Sequence, residues 1–362
     1  MIDQNTSTEI FDAIAKRRGE RRNFMKVAGG ATAAFGGATL LSACGADNNN
    51  PNATPTATAS PSPTSTASAA TLDLDILNFA LNLEYLEAQF YVYAVTGQGL
   101  ATSQTTGPSS AAPGTVTGGA QANLSGDPLV LAYAREIAAD ETAHVNFLRA
   151  AIGSSAVAMP NINIGGGTNG AFTQAAIAAG IITQGQTFDP YASPENFLLG
   201  AFIFEDVGVS AYKGAAPLIT NKTYLEAAAG SLAAEAYHAG LVRTVLYSKG
   251  IGTPSAPAIP ALIINAQKIS DARDSLDGTV ASTSVGAVDI DQGLTVTNAG
   301  VTDANLVPTD GNGIAYSRSV SQVLNIVYLN TAAKTAGASM GGFFPNGLNA
   351  TLPAFKTSAA NP

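Results

Sequence analysis

The chain has only two histidines among its 362 residues, and each follows a glutamate at the same spacing. Glu141 precedes His144 by three residues, and Glu235 precedes His238 by three. Residues three apart lie on one face of a helix, so each pair would direct a carboxylate oxygen and an imidazole nitrogen to one point. Such oxygen and nitrogen ligands suit iron and manganese. The repeated pairs therefore predict a metal site.

Two more glutamates lie in segments that are otherwise apolar. Glu84 is within NFALNLEYLEAQFYVY and Glu205 within FLLGAFIFEDVGV. A buried carboxylate needs a cation, a proton or a hydrogen-bond donor, and basic residues are sparse in these segments. Tyr91 and Tyr212 follow the two glutamates by seven residues, two helical turns along the same face. Four glutamates and two histidines from four helices are the ligand set of a di-iron or di-manganese carboxylate site.

The residue types alone leave other roles open. The two Glu-x-x-His pairs could form a metal-free polar network in the core. Glu84 and Glu205 could lie at the surface, or could pair with Arg149 or Arg243, which lie five residues beyond the histidines. The two tyrosines could be packed side chains with one hydrogen bond each, or they could take part in redox chemistry.

Four long helices must position these side chains. The first begins near residue 72 and is apolar on all sides, which is typical of a buried helix. The second is predicted from Asp-Pro at 127–128 to Gly153, the third from Ser-Pro-Glu at 193–195, and the fourth over 221–250. The longest link joins the second helix to the third. The sequence therefore predicts an all-α four-helix bundle with one long crossover over residues 72–250.

An export signal is predicted before the bundle. RRNFMK (21–26) fits the twin-arginine pattern, and the uncharged residues 27–43 are too short and too rich in glycine and alanine for a membrane span. LSAC (41–44) resembles a bacterial lipobox. We therefore expect a cleaved signal peptide over 1–43, a lipid on Cys44 that attaches the chain to a membrane, and a periplasmic or cell-envelope location.

The remaining segments and the net charge limit the functions further. Residues 44–71 are rich in Pro, Ser, Thr and Ala, which predicts an extended tether after the lipidated cysteine. The formal net charge of −9 argues against nucleic-acid binding. Cys44 is the only cysteine, so a disulfide within the chain is excluded.

A C-terminal extension over 251–362 is predicted to pack on the bundle. It is mostly irregular and carries helix candidates at 259–276 and 319–334. Asp289 and Asp291 alternate in VDIDQG, and a solvated loop is expected there rather than a calcium site.

Taken together, these motifs resemble the ferritin-like superfamily, and within it the exported ferritin-like proteins related to plant desiccation-related proteins. LNFALNLEYLEAQFY, DETAHVNFL, FEDVGVSAYKGA and AEAYHAGLVR carry the resemblance over about 72–250. SRSVSQVLNIVYL (317–329) and GGFFPNGLN (341–349) resemble a C-terminal signature of that group.

The resemblance implies a role for each ligand of a centre with two iron or two manganese ions. The terminal ligands would be Glu84, His144, Glu205 and His238, and the bridging ligands Glu141 and Glu235.

The sequence departs from the family pattern at two positions. Asp140, before Glu141, would orient the opposite histidine, His238, whereas alanine stands before Glu235, so that His144 would need another acceptor. Glu87, one turn after the first ligand, has glycine as its counterpart at 208. Its carboxyl group could be a seventh ligand, a proton carrier or a solvated side chain.

Two functions are compatible with this pattern. The first is an exported, lipid-anchored protein whose dinuclear centre reacts with O₂ or peroxide in stress protection, as a ferroxidase, a peroxidase or a manganese-catalase-like enzyme. The second is a non-catalytic protective or structural envelope protein of the desiccation-related type. The long inserts and the tether would obstruct a closed storage cage, so a monomer or a small homo-oligomer is expected.

Overall fold

The computed structural model describes residues 69–278, 289–298 and 301–360. The predicted signal peptide, Cys44 and nearly all of the predicted tether lie outside these residues. Among the helices of the described part of the chain, none combines the length and the apolar character that a membrane span requires.

The described residues form eight α-helices and two small β-ladders. The helices are α1 (Ala69–Thr96), α2 (Thr102–Thr105), α3 (Pro128–Ile152), α4 (Ala171–Ala178), α5 (Pro194–Ala215), α6 (Lys222–Ile251), α7 (Pro260–Asp277) and α8 (Val320–Val327). Strand β1 (Val116–Thr117) pairs in parallel with β2 (Ile162–Asn163), and β3 (Thr295–Asn298) pairs antiparallel with β4 (Val301–Ala304). The predicted all-α fold is confirmed.

The bundle consists of two antiparallel helix pairs. Helix α1 packs along α3, and α5 packs along α6, while far fewer contacts join one pair to the other. The long crossover from α3 to α5 contains β2 and α4. The two helix pairs therefore face each other across a seam, and side chains that point into this seam can meet from all four helices.

Local signals start and stop the bundle helices at the predicted places. The side chain of Asp127 accepts a hydrogen bond from the backbone of Val130 at the start of α3, and Ser193 does the same for Asn196 at the start of α5. Asn221 caps α6 in the same way. Gly153 follows α3 with a φ of 67°, a conformation that glycine adopts without strain.

Two boundaries differ from the predicted ones. Helix α1 already includes residues 69–71, the first that the structure describes, which the sequence assigned to the tether. The predicted helix at 319–334 ends at Val327, because Leu329 adopts a φ of 51° and the carbonyl of Val327 accepts a hydrogen bond from the backbone of Phe343 (2.9 Å).

The crossover and the C-terminal extension share one core with the bundle. The ring of Phe343, from the extension, lies 4.9 Å from that of Phe204 in α5 and 5.2 Å from that of Phe172 in α4. The ring of Phe172 lies 5.2 Å from that of Phe90 in α1. These aromatic contacts fix both connecting segments against α1 and α5.

A buried cluster of ion pairs also holds the extension. This arginine–aspartate cluster consists of Asp206, Arg243, Arg273, Asp277, Asp291 and Arg318. The solvated loop expected at Asp289 and Asp291 is therefore wrong for Asp291, which is buried between Arg273 and Arg318, whereas Asp289 is exposed. Only the folded chain brings these distant residues together.

Candidate metal centre

The four bundle helices bring the six predicted ligands to one place. Helix α1 supplies Glu84, α5 supplies Glu205, and α3 and α6 each supply a Glu-x-x-His pair. All four glutamates and His238 are almost completely buried, and the side chain of His144 is 14% exposed. The spacing of three residues places both members of each pair on the face that points into the seam.

The ligand atoms form two overlapping groups. Glu84, Glu141, His144 and Glu235 offer atoms within 4.8 Å of one another, and so do Glu205, Glu235 and His238. Glu235 belongs to both groups. Two ions, each bound by one group, would therefore share a ligand.

Glu141 also contacts both halves of the site. Its Oε2 lies 3.6 Å from Nδ1 of His144, and its Oε1 lies 3.1 Å from Nδ1 of His238. The same two nitrogens lie 3.3 Å from Glu84 Oε2 and 3.7 Å from Glu205 Oε2, respectively. Each histidine therefore faces one glutamate of its own half and one oxygen of the central Glu141.

The polar atoms that converge here make no hydrogen bond of normal geometry, although the histidine nitrogens lie between 3.1 Å and 3.8 Å from carboxylate oxygens. They are Glu84 Oε2, Glu141 Oε2, His144 Nδ1, Glu205 Oε2, both carboxylate oxygens of Glu235, and His238 Nδ1. Leaving one buried polar group without a partner costs about 1–3 kcal/mol, and more for a charged group. Seven such atoms in one place are therefore an expensive arrangement for a metal-free core, and they fit the donor set that a pair of divalent ions requires.

The carboxylates favour positive charge at both imidazoles. Burial lowers the pKa of His144, but contact with Glu141 and Glu84 outweighs burial and raises this pKa to about 11. Burial also lowers the pKa of His238, and here Glu141 and Glu205 raise it to about 9. A proton or a metal ion can supply the positive charge that these surroundings favour.

The glutamates differ in their affinity for protons. Burial, followed by the charge of Glu141, raises the pKa of Glu84 to about 7. Burial raises the pKa of Glu205 to about 8 and that of Glu235 well above its usual range. Burial also acts to raise the pKa of Glu141, but the two histidines lower it to about 2. Metal ions would have to displace the protons that the other glutamates hold.

The two tyrosines bind the glutamates of the opposite helix pair. Tyr91 of α1 donates a hydrogen bond to Oε1 of Glu205, and Tyr212 of α5 donates one to Oε1 of Glu84. Burial and the charge of the bonded glutamate raise the pKa of each tyrosine well above its usual range. Both hydroxyls are therefore neutral hydrogen-bond donors. Each binds Oε1 of a glutamate, and Oε2 of the same glutamate faces a histidine.

Asp140 lies where the sequence pattern predicts it. Its Oδ2 is 3.1 Å from Nε2 of His238, so Nδ1 of this ring points into the site. The second acceptor that His144 would need is not found among the residues that the structure describes. The side chain of Asp140 is about half exposed, so the hydrogen-bond partner of His238 is in contact with solvent.

Glu87 is buried beside the site, not solvated. A Cβ atom built at Gly208 would lie 2.5 Å from Oε2 of Glu235 and 3.4 Å from Oε1 of Glu87. The glycine at this counterpart position therefore leaves the space that the carboxyl groups of Glu87 and Glu235 need. Burial, and then the charges of three neighbouring glutamates, raises the pKa of Glu87 well above its usual range.

The alternative partners for Glu84 and Glu205 are excluded by the structure. Neither glutamate lies at the surface. Arg149 donates a hydrogen bond to the hydroxyl of Tyr85, and Arg243 pairs with Asp206 at 2.7 Å. In the part of the chain that the structure describes, no lysine or arginine side chain contacts the ligand atoms of the site.

Sequence reasoning missed the crossed tyrosine contacts. The spacing of seven residues placed each tyrosine on the face of its own glutamate, but each hydroxyl reaches the glutamate of the facing helix. No local signal contains this information, because it depends on how α1 and α5 are offset across the seam. The sequence contains one indication of symmetry: the Glu…Tyr spacing occurs twice, which predicts that the two tyrosines make equivalent contacts.

Comparisons with known proteins show what the chain is similar to. The model of the ferritin-like domain family matches residues 72–248. Ferritin-like catalase Nec2 from Nesocodon mauritianus is 26% identical over 287 residues, which cover 77% of this chain and 84% of that protein. Desiccation-related protein PCC13-62 from Craterostigma plantagineum is 27% identical over 257 residues, which cover 69% of this chain and 75% of that protein.

The solved structures contain no significant match to the chain. The family match nevertheless includes all of α3 and α5, nearly all of α1 and α6, and every predicted ligand. Residues 72–248 are therefore a ferritin-like domain, and the chain is similar to a ferritin-like catalase and to a desiccation-related protein.

Proposed function

We propose that the six ligands bind two iron or two manganese ions and that this dinuclear centre reacts with peroxide or O₂. The observation that carries the proposal is the set of seven buried ligand atoms without hydrogen-bond partners, which converge between four helices. Burying such groups is strongly unfavourable unless cations compensate them.

The contacts suggest which ligands would be shared. Glu141 directs one oxygen at each histidine, and both oxygens of Glu235 are buried without a partner. These two glutamates would bridge the ions. Glu84 with His144, and Glu205 with His238, would bind the two ions separately as terminal ligands.

Bound iron or manganese would supply the exchange of electrons with the oxidant. The chain would supply the position and the surroundings of the ions. Tyr91 and Tyr212 fix the terminal glutamates, and Asp140 fixes the ring of His238. The apolar bundle around these groups would exclude water from the reaction.

Peroxide is the oxidant that the comparisons favour. The relative that covers the larger share of this chain is a ferritin-like catalase, and the aligned 287 residues cover 84% of that protein. At 26% identity this similarity supports the reaction class and leaves the choice between iron and manganese to experiment.

We also propose that the chain is exported and attached to the cell envelope through a lipid on Cys44. This proposal rests on RRNFMK (21–26) and LSAC (41–44) in the sequence. Twin-arginine export moves folded proteins, so the bundle would take up its metal ions before it crosses the membrane.

A second candidate function is a protective role without catalysis. The similarity to a desiccation-related protein favours it. In this case the metal ions would serve to compensate the buried carboxylates and to hold the four helices together.

Metal analysis and turnover together test both candidates. We expect about two iron or manganese ions per purified chain and none in the double variant Glu141→Ala/His144→Ala. Glu136→Ala, an exposed glutamate of the same helix, is the matched control and should keep both ions. Metal-loaded protein should decompose peroxide or consume O₂.

Each other outcome has a defined meaning. Two ions without turnover would reject catalysis and support the protective role. A wild-type protein that binds no iron or manganese under any loading condition would contradict the site itself.

A further inference from the structure

Two small cavities lie between the bundle and the segments that pack on it. The inner cavity is enclosed by α1, α5, α8 and Phe343 and offers about 20 Å³ for a water-sized molecule. The outer cavity, also about 20 Å³, is enclosed by α4, α5, α7 and α8. Ile203 of α5 and Ile326 of α8 line both cavities. These two side chains are therefore the partition between them.

The inner cavity ends beside the candidate metal centre. Glu87 and Gly208 line it, and the space that a side chain at Gly208 would take lies 2.5 Å from Oε2 of Glu235. Because Gly208 has no side chain, a small molecule in this cavity could approach the carboxylate of Glu235 at this position.

The outer cavity ends near the surface. It is lined by Ala178, which is exposed, and by Ala179 and Leu329, which are partly exposed. The charged lining residue of the outer cavity is Arg273, whose guanidinium is engaged by Asp206 and Asp291. The outer cavity therefore presents aliphatic carbon to a molecule that enters between α4, α7 and α8.

We infer that these cavities form a route by which O₂ reaches the dinuclear centre, with Ile203 and Ile326 as its gate. This inference rests on the proposed function, because the route ends at the proposed ligands. A buried water or peroxide needs two to four hydrogen-bond partners, whereas the inner cavity offers one carboxyl group among aliphatic and aromatic side chains. O₂ needs no such partner and has the size that each cavity accepts.

The C-terminal extension and the crossover would both form walls of this route. Ile326 and Phe343 come from the extension, and the outer cavity borders α4 of the crossover. Rotamer changes of side chains such as Ile203 and Ile326 would open the partition without movement of a helix.

Xenon, which occupies dry apolar cavities, tests the route without any turnover measurement. We expect xenon in the inner cavity of pressurised crystals of the full chain, and none in crystals of Ile326→Phe, whose ring would fill it. Leu324→Phe changes a buried residue of the same helix that lines neither cavity, so it is the matched control and should retain xenon.

Kinetics of the Fe(II)-loaded protein test the same variants. Ile326→Phe should raise the KM for O₂ at least threefold at unchanged metal content, and Leu324→Phe should leave it within about twofold. Ile326→Ala, which removes part of the side chain between the cavities, should lower the KM for O₂ or leave it unchanged. This variant replaces Ile326→Phe in the test if the phenylalanine variant does not fold.

Several results would overturn the inference. Absence of xenon from both wild-type cavities would do so, and so would a KM for O₂ that Ile326→Phe does not alter, or that both phenylalanine variants raise equally. If peroxide turnover falls in parallel with O₂ consumption, the assignment to O₂ is wrong. Failure of the proposed function would instead show as wild-type protein without metal, or as metal-loaded protein without turnover. Failure of the route alone would show as active, metal-loaded protein whose KM for O₂ is the same in Ile326→Phe as in the wild type.

Discussion

Two neighbouring residues of α5 point into two different buried charge clusters. Glu205 faces the candidate metal centre, and Asp206 faces the arginine–aspartate cluster. Both clusters are almost completely buried and draw side chains from several elements. They differ in the source of the positive charge that compensates their carboxylates.

The arginine–aspartate cluster compensates itself. It contains three arginines and three aspartates, and Asp206 alone accepts from Arg243 at 2.7 Å and from Arg273 at 2.9 Å. Arg318 pairs with Asp277 at 2.8 Å and also with Asp291. Its role is to hold the segments after α6 against the bundle.

The candidate metal centre, in contrast, has more negative groups than its own chain can compensate. Five glutamates meet there, of which Glu87 is the one outside the six-ligand set, and the two histidines are its only basic groups among the described residues. Two divalent ions would supply four positive charges, and a protonated Glu87 would account for the fifth carboxyl group. Burial of charged groups therefore serves structure in one cluster, and in the other it fits the proposed binding of ions.

The largest expected effect follows from breaking the balanced cluster. Arg318→Ala leaves Asp277 without its arginine and removes one of the two partners of Asp291. We expect the free energy of unfolding to fall by about 3–5 kcal/mol, because an uncompensated charge remains buried. Denaturant unfolding in the presence of a metal chelator measures this change.

The matched control for this prediction is Lys222→Ala, which removes an exposed cation and should change stability by less than about 0.5 kcal/mol. Arg318→Lys should lose less stability than the alanine variant. A loss for Arg318→Ala as small as that for the lysine control would show that the cluster is not a structural one.

A change of opposite sign is expected in the unbalanced cluster. Burial and four nearby glutamates raise the pKa of Glu235 well above its usual range, so keeping this residue protonated at neutral pH costs stability. Glu235→Gln should therefore stabilise the metal-free protein by about 1–3 kcal/mol, and it should reduce the bound metal. Thermal melts with and without chelator measure both effects.

The stabilisation by Glu235→Gln should depend on pH, and a variant of the other cluster is its control. A carboxyl whose pKa is raised in the folded state destabilises above its unfolded pKa, so the gain from Glu235→Gln should vanish as the pH approaches about 4. Asp291→Asn, in the balanced cluster, should instead destabilise at neutral pH, because Arg273 and Arg318 lose an ionised partner. Changes of the same sign in both variants would contradict the comparison.

A graded loss of metal affinity is expected on acidification. Glu84, with a pKa of about 7, and Glu205, with a pKa of about 8, hold protons that a metal ion must displace. Between pH 8 and pH 6 the affinity should therefore fall by about tenfold per pH unit for each proton displaced. Titration calorimetry in two buffers of different ionisation enthalpy counts these protons, and an affinity that stays constant over this range without proton release would refute the expectation.

The sequence by itself determined the bundle and the identity of the candidate ligands. Apolar periodicity and capping residues such as Asp127 and Ser193 are local signals, so the helix starts could be read directly. The Glu-x-x-His spacing is also local, because residues three apart share a helix face in any fold.

Only the tertiary structure decided which partners meet across helices. The crossed contacts of Tyr91 and Tyr212, the burial of Asp291 and the pairing of Arg243 with Asp206 all depend on the offsets between helices and on the path of the C-terminal extension. The end of α8 at Val327 depends on a hydrogen bond from Phe343. Such contacts join residues that are distant in the chain, and no local spacing contains the distance between them.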